Sequence, residues 1–460
     1  MIIFIIPPGP KNIYRGMVCS FVSKARYLWQ PYDFINLSAQ IPADQEVKLI
    51  DCSINNYNTD YLYEQIKTLC PSLCIIAISS IIFDQDMLFL SEFRARFPDV
   101  KFLVTGNILL EDFFWDRILG HADGLLLNSL DIDLLAYIKC SKSNSNNFID
   151  KNKDRTGQLK FPDKQTVREV SIGIPRHKVF IDKRYHFPFA RSNIHSTVTT
   201  QFGCPFQCSY CSWAKVPVSY RSYMEVLEEL TLVNRLGVRD VFFTDPSFGF
   251  PRENAILLLE GMIRKGLDIQ WSCYANPLLL DRSFLRLLKR SGCHTLITGI
   301  DDADFNMLDK KFNRHISESQ IAEFCQNCHD LDLRVCGDFI IGLNTEKKAF
   351  DLIVNLAKKL NLDYASFNIF SVLVGSVVRE QLVKEGKFDP SIPSVDPSGH
   401  YGQIDRRLAC LRNLAVRKFY LRPKYIFNRI LAIRSFSEFM VQLEEMAVLI
   451  KNLLKSQTDA

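Results

Sequence analysis

The chain has 460 residues, of which 47% are apolar and 23% charged, so it is too long for one ordinary core and reads as a soluble globular protein of two or three domains. A formal net charge of +5 is mild for this length and argues against a nucleic-acid partner. The apolar start Met1 to Ile6 stops at Pro7-Pro8, too short for a signal sequence, and no apolar run approaches a membrane span, so a cytoplasmic chain without membrane contact is expected. Thiols stay reduced there, and Cys19, Cys52, Cys70, Cys74, Cys140, Cys273, Cys293, Cys325, Cys328, Cys336 and Cys410 read as core fillers rather than a disulfide framework.

In residues 1–140, short apolar runs at Ile2 to Ile6, Val47 to Ile50, Cys74 to Ser79, Phe102 to Thr105 and Gly124 to Leu127 alternate with helix-length spacers. Runs of this kind predict strands buried on both faces, hence an open parallel sheet of Rossmann-like or flavodoxin-like type. Residues 141–194 read as a linker, because Ser141 to Gln165 is polar and nearly free of branched apolar residues. Over 195–386 a second series is predicted, with strands at Ser196 to Gln201, Asp240 to Thr244, Ile269 to Ala275, His294 to Ile300, Arg334 to Gly342 and Tyr364 to Phe370. The spacers at Tyr223 to Arg235, Glu253 to Arg264, Ser283 to Lys289, Glu318 to Leu331 and Lys347 to Leu360 read as helices. Such an α/β series fits a partial barrel of six strands whose chemistry lies at the strands' C-terminal ends. Residues 387–460 carry apolar positions at helical spacing and read as C-terminal helices.

Directly after the first barrel strand comes Gly203-Cys204-Pro205-Phe206-Gln207-Cys208-Ser209-Tyr210-Cys211. Three thiolates on one loop can hold three irons of a four-iron four-sulfur (4Fe-4S) cubane and leave the fourth open, whereas a ferredoxin or a structural zinc needs four closed ligands. Cys204, Cys208 and Cys211 are therefore the candidate metal ligands.

The array, with the aromatic Tyr210 before its last cysteine, resembles the signature of the radical S-adenosylmethionine (radical SAM) enzymes. Gly337 to Leu343, ending at Gly342, resembles the fifth-strand motif on which such enzymes pack the adenine. Thr244-Asp245-Pro246-Ser247-Phe248 resembles the second-strand end of the cobalamin-associated branch, which would make Asp245 an acceptor for the ammonium of S-adenosylmethionine. Gly299-Ile300-Asp301-Asp302 stands where that branch usually has glycine, an apolar residue, glutamate and serine, with Asp301 the expected cofactor contact. The first domain resembles the cobalamin-binding module of the same branch, through Ile6-Pro7-Pro8-Gly9, Leu49-Ile50-Asp51, Ile78-Ser79-Ser80 and Pro98 to Gly106. The resemblance implies a corrin pocket at Ser79, Ser80, Gly106 and Asn107, and a 5′-deoxyadenosyl radical that takes hydrogen from an unactivated carbon of a small molecule. It further implies methyl transfer from cobalamin and an external electron donor, flavodoxin or ferredoxin.

Two alternatives stay open: a radical SAM enzyme without cobalamin that cyclises, rearranges or oxidises, and a non-catalytic iron-sulfur or zinc protein that binds RNA through the basic tail. That tail runs from Arg406 to Arg434 with Phe419, Tyr420 and Tyr425, and Glu438, Glu444 and Glu445 follow at once, so it reads first as a solvated helix face. Cys325-Gln326-Asn327-Cys328-His329 fits a haem-attachment pattern but lies within a predicted helix. His177, His186 and His195 read as hydrogen-bonded or surface histidines.

Overall fold

The computed structural model describes residues 1–10, 13–23, 27–130, 134–138, 148–150, 166–187, 189–192, 194–346, 348–394, 396–397 and 405–431. Helices expected beyond residue 431, with Arg434, Glu438, Glu444 and Glu445, lie outside the described residues.

The first sheet is formed by β1 (Ile2–Ile6), β2 (Val47–Asp51), β3 (Leu73–Ala77), β4 (Lys101–Thr105), β5 (Gly124–Leu126) and β6 (Phe148–Asp150), in the order β2-β1-β3-β4-β5-β6. The first five strands are parallel, and the 2-1-3-4-5 order is the flavodoxin-like one, with its switch point between β1 and β3. Their residues are almost wholly buried because helices cover both faces. β6 corrects the linker reading: a segment judged from polarity to be surface adds an antiparallel edge, pairing Leu126 with Phe148. Val167–Val170 is also a strand, pairing with Val218–Arg221. His177 is buried there, bonded to Ser196 Oγ at 2.9 Å and Glu229 Oε1 at 2.7 Å, which fastens this part of the expected linker to the barrel.

The second sheet runs β7 (His195–Val198), β8 (Asp240–Phe243), β9 (Gln270–Ala275), β10 (Cys293–Asp301), β11 (Arg334–Ile341) and β12 (Tyr364–Ile369), all parallel and in sequence order. Its outer face packs on helices through a large apolar cluster that includes Cys325 and Cys328, so that pair fills the core as ordinary small apolar side chains do. Its inner face carries Phe242, Ile297 and Cys336, against which Trp29 and Phe187 from outside the barrel pack. An open barrel has two edges with unpaired backbone groups, and buried groups of that kind need partners. At β7, Gln30 supplies them: its amide oxygen accepts from Thr197 N at 2.9 Å and its Nε2 donates to His195 O at 3.3 Å. At β12, Tyr420 Oη accepts from Ala365 N at 3.0 Å and donates to Ala365 O at 2.9 Å.

Three of the tail's cations have partners within the fold: Lys418 pairs with Asp351 at 3.0 Å, Arg422 stacks on Phe419 and Arg429 donates to Tyr364 Oη at 2.7 Å. These contacts fasten helices Arg406–Tyr420 and Pro423–Leu431 to the barrel. No helix among the described residues is long and apolar enough to cross a membrane.

Candidate functional site

β7 ends at Val198, three residues before the expected end at Gln201, because the chain there turns to bond with Asp245. Asp245 is fully buried just past the end of β8. It accepts from Thr200 N at 2.7 Å, Gln201 N at 3.1 Å and the Thr200 hydroxyl. Burial pushes its carboxyl up to about 6, against the pull of those bonds. Both oxygens are thus taken by the segment leading into the cysteines. The expected ammonium acceptor thus also bonds the backbone that leads into the loop.

Gly203 follows with φ +91°, and a Cβ there would stand 1.9 Å from Pro217 O, so only glycine allows the turn into Cys204. The three thiols, all half-buried, sit on a loop held by distant segments. Ser209 N donates to Phe312 O at 2.9 Å, Val378 N donates to Ser209 O at 2.9 Å, Ser212 Oγ donates to Val374 O at 2.8 Å and Asn313 Nδ2 donates to Gln207 O at 3.1 Å. Burial pushes the Cys208 thiol up to about 11 and the Cys211 thiol higher still. Among the described residues no three His, Cys, Asp or Glu side chains converge on one metal-ion position. A cubane asks for something else, one thiolate on each of three irons.

Tyr210 is half-buried beside Asp301 and Cys208, its ring 5.7 Å from that of Phe312. Asp301 lies at the end of β10 with φ +68° and accepts from Arg314 Nε at 3.0 Å. Arg314, which the sequence reading passed over, also donates to Gly299 O at 2.6 Å. Gly342 closes β11 with φ +90°; a Cβ there would stand 2.8 Å from the Leu408 side chain of the C-terminal helix. The cysteine loop therefore gathers Tyr210 and Asp301 directly, and Asp245 through Thr200.

The four residues expected to line a corrin pocket lie together at the ends of β3 and β4, bonded to one another and to neighbouring segments. Hairpin Ile13–Arg15/Ser20–Val22 lies over the ends of β3 and β4. Asn107 Oδ1 accepts from Ser20 Oγ at 2.8 Å and Ser80 N at 3.0 Å, while its Nδ2 donates to Ser80 Oγ at 2.7 Å. Ser79 N donates to Asp86 at 2.7 Å, and Asp86 holds the buried Arg15 at 3.0 Å. Gly106, at φ +152°, would place a Cβ 2.1 Å from Ile78 O, so its small size serves strand contact rather than ligand approach. Sequence position at a strand end was a sound guide to location, and it carried no signal that the hairpin covers that end.

The hairpin tip reaches the barrel. Cys19 lies within electrostatic range of Cys211, Tyr274 and Asp396, and burial pushes its thiol up to about 11. Val22 N donates to Asp396 at 3.2 Å. A second bridge starts beyond β4, where Glu111 accepts from Gly375 N at 3.1 Å and pairs with Arg379 at 2.8 Å, next to the segment that holds Ser209 and Ser212. Of the three histidines, His177 and His195 are buried, and the His186 ring lies 5.6 Å from the Tyr27 ring.

Residues 198–357 match the Radical SAM superfamily. This stretch is a radical SAM domain. An uncharacterized methyltransferase of Pyrococcus horikoshii is 27% identical over 246 residues, 51% of this chain and 53% of the relative, so the chain spans about half that relative's length. Of solved structures, the radical SAM methyltransferase TsrM from Kitasatospora setae, with cobalamin and a [4Fe-4S] cluster bound, superposes with TM-score 0.65 at 14% identity, covering 84% of this chain and 78% of that one. The cobalamin-dependent radical enzyme OxsB, with aqua-cobalamin and S-adenosylmethionine bound, gives 0.61 at 13% identity, covering 99% and 71%. These likenesses show the fold, in which the radical SAM domain is joined to an N-terminal open sheet. The α/β architecture expected from the sequence is the one these proteins share.

Proposed function

We propose that this chain is a radical SAM enzyme that holds a 4Fe-4S cluster on Cys204, Cys208 and Cys211 and methylates an unactivated carbon of a small molecule with cobalamin bound between its two domains. The observation that carries this reading is the loop of three half-buried thiols, held at the C-terminal end of the first barrel strand by bonds from three other parts of the chain. When bound, the cluster supplies the electron that cleaves S-adenosylmethionine to a 5′-deoxyadenosyl radical, and cobalamin supplies the methyl group.

The chain's own residues bind, orient and exclude water. Asp245 and Gly203 set the path into the loop; Phe312, Asn313, Val374 and Val378 hold its middle. The hairpin bearing Cys19 stands between the first sheet and the cysteine loop and limits water around the reacting groups. With the strand ends beneath that hairpin closed by Asn107, Ser20 and Ser80, a corrin would have to lie on its barrel side. An external one-electron donor, a flavodoxin or ferredoxin, would be needed.

That closure favours a second reading, a radical SAM enzyme without cobalamin. Anaerobic purification with added iron, sulfide and cobalamin, followed by iron, corrinoid and 5′-deoxyadenosine analysis, tests both. One cluster per chain, bound corrinoid and cofactor cleavage are expected. A cluster with cleavage and no corrinoid leaves the second reading, and protein that takes up no iron overturns both.

A further inference from the structure

The cysteine loop comes to the surface at Gln207, its one exposed residue, between the half-buried Phe206 and Cys208. Two helices flank it there. Helix Phe305–Phe312 holds one side, where Phe312 O accepts from Ser209 N at 2.9 Å and the exposed Asn313 donates to Gln207 O at 3.1 Å. Helix Val377–Lys384 holds the other, where Val378 N donates to Ser209 O at 2.9 Å. Each helix has a single acid, and each acid is engaged: Asp309 lies 2.6 Å from His315 Nδ1, and Glu380 pairs with Lys215 and, at 3.6 Å, with Lys384. Lys310 and Lys311, in the last turn of the first helix, are exposed and form no ion pair among the described residues. The helix dipole favours cations at that end by about 0.3–1 kcal/mol. It does not account for two of them beside the one exposed residue of the loop with no acid to hold them.

We propose that this face, centred on Gln207, Lys310 and Lys311, is the docking surface for an acidic protein that carries one electron, with the two lysines as its steering cations. The proposal rests on the cluster reading above and names the partner surface of that site. Such a carrier must bring its redox group close to the cluster and then leave, so the contact is expected to be small, polar and salt-sensitive rather than large and apolar. Two unpaired ammonium groups beside the outermost point of the loop fit a partner rich in carboxylates. Lys215 and Lys384 share Glu380 and offer such a partner less. From this face the route inward is short: Phe312 O is bonded to the backbone between Cys208 and Cys211, and the Phe312 ring stands 5.7 Å from that of Tyr210. One electron passes from the carrier, which is oxidised, to the cluster, which is reduced; no bond or proton moves.

The test mixes the anaerobically reconstituted full chain with reduced flavodoxin in a stopped-flow instrument, without S-adenosylmethionine, and follows the bleaching of the cluster's visible absorption. The double variant Lys310→Glu/Lys311→Glu is expected to lower the second-order rate constant by about tenfold or more at low ionic strength, and to flatten its fall with added salt. Its iron content and the extent of its reduction by excess dithionite should equal those of the unsubstituted protein, since neither lysine touches the loop. Lys67→Glu/Lys101→Glu, both exposed in the first domain, changes the net charge equally and should keep the rate. An equal fall in both double variants would be a net-charge effect and would overturn the docking face, as would equal rates in all three proteins. If the reversed pair takes up no iron, Lys310→Gln/Lys311→Gln carries the same decision with a smaller fall. An unsubstituted chain that takes up no iron overturns instead the function on which the inference rests.

Discussion

At the end of β7 the chain leaves three half-buried thiols on a loop whose backbone is bonded from residues 245, 312, 313, 374 and 378. At the ends of β3 and β4 it does the opposite: side chains from the hairpin and the strand ends bond one another, and Arg15 is buried on Asp86. Both are strand ends of parallel sheets, where ligands of such folds usually lie. The difference teaches that at one strand end the loop is held largely through its backbone by distant segments, which leaves its geometry to them. Where the side chains supply the bonds, the strand end is structure.

The largest effect that would break this contrast is at the thiols. Cys204→Ala, Cys208→Ala or Cys211→Ala should each abolish the cluster, read as loss of bound iron and of visible absorption, with the first sheet still folded. Full iron in any one of them would mean that the open strand end is not the site.

Next is the charge under the hairpin. Asp33 accepts from Met17 N at 2.8 Å, and burial pushes its carboxyl from 3.8 up to about 7. A folded value above the unfolded one means that its contribution to stability is fully present below about pH 4 and lost as pH rises through about 7. The loss is on the order of 4 kcal/mol. Asp33→Asn should flatten the fall in melting temperature between pH 4 and pH 7; an unchanged slope would place the titration elsewhere.

Smaller is the loop anchor. Asp245→Asn puts an amide nitrogen where Thr200 donates, and should destabilise by about 1–3 kcal/mol, seen in thermal or denaturant melts. The affinity of the folded protein for S-adenosylmethionine should be unchanged, since both oxygens already face the loop. A stable variant with weakened affinity would restore Asp245 as a ligand.

The smallest effect expected is at the closed end. Asn107→Gly removes the bonds to Ser20 and Ser80 and should cost about 1–2 kcal/mol, with faster proteolytic cleavage of the hairpin. It should not improve corrinoid binding. Tighter binding would show that the strand end is a pocket that Asn107 merely obstructs.

Periodicity and motif spacing in the sequence were enough to determine the two parallel sheets, the helices between the barrel strands and the three-thiol loop, because these follow from local burial and from residues adjacent in the chain. Between residues 141 and 194 the polar composition hid two short edge strands, β6 and Val167–Val170, since three or four residues suffice to pair. Tertiary structure alone decided the partners. Asp245 and Thr200 are 45 residues apart, Asn107 and Ser20 are 87, and the Arg314 guanidinium meets Asp301 from 13 residues away only because the strand end is bent back. A carboxylate at a strand end looks the same in sequence whether it faces a ligand or its own backbone. Which one it faces is set by the segments that pack above it, and those come from far along the chain.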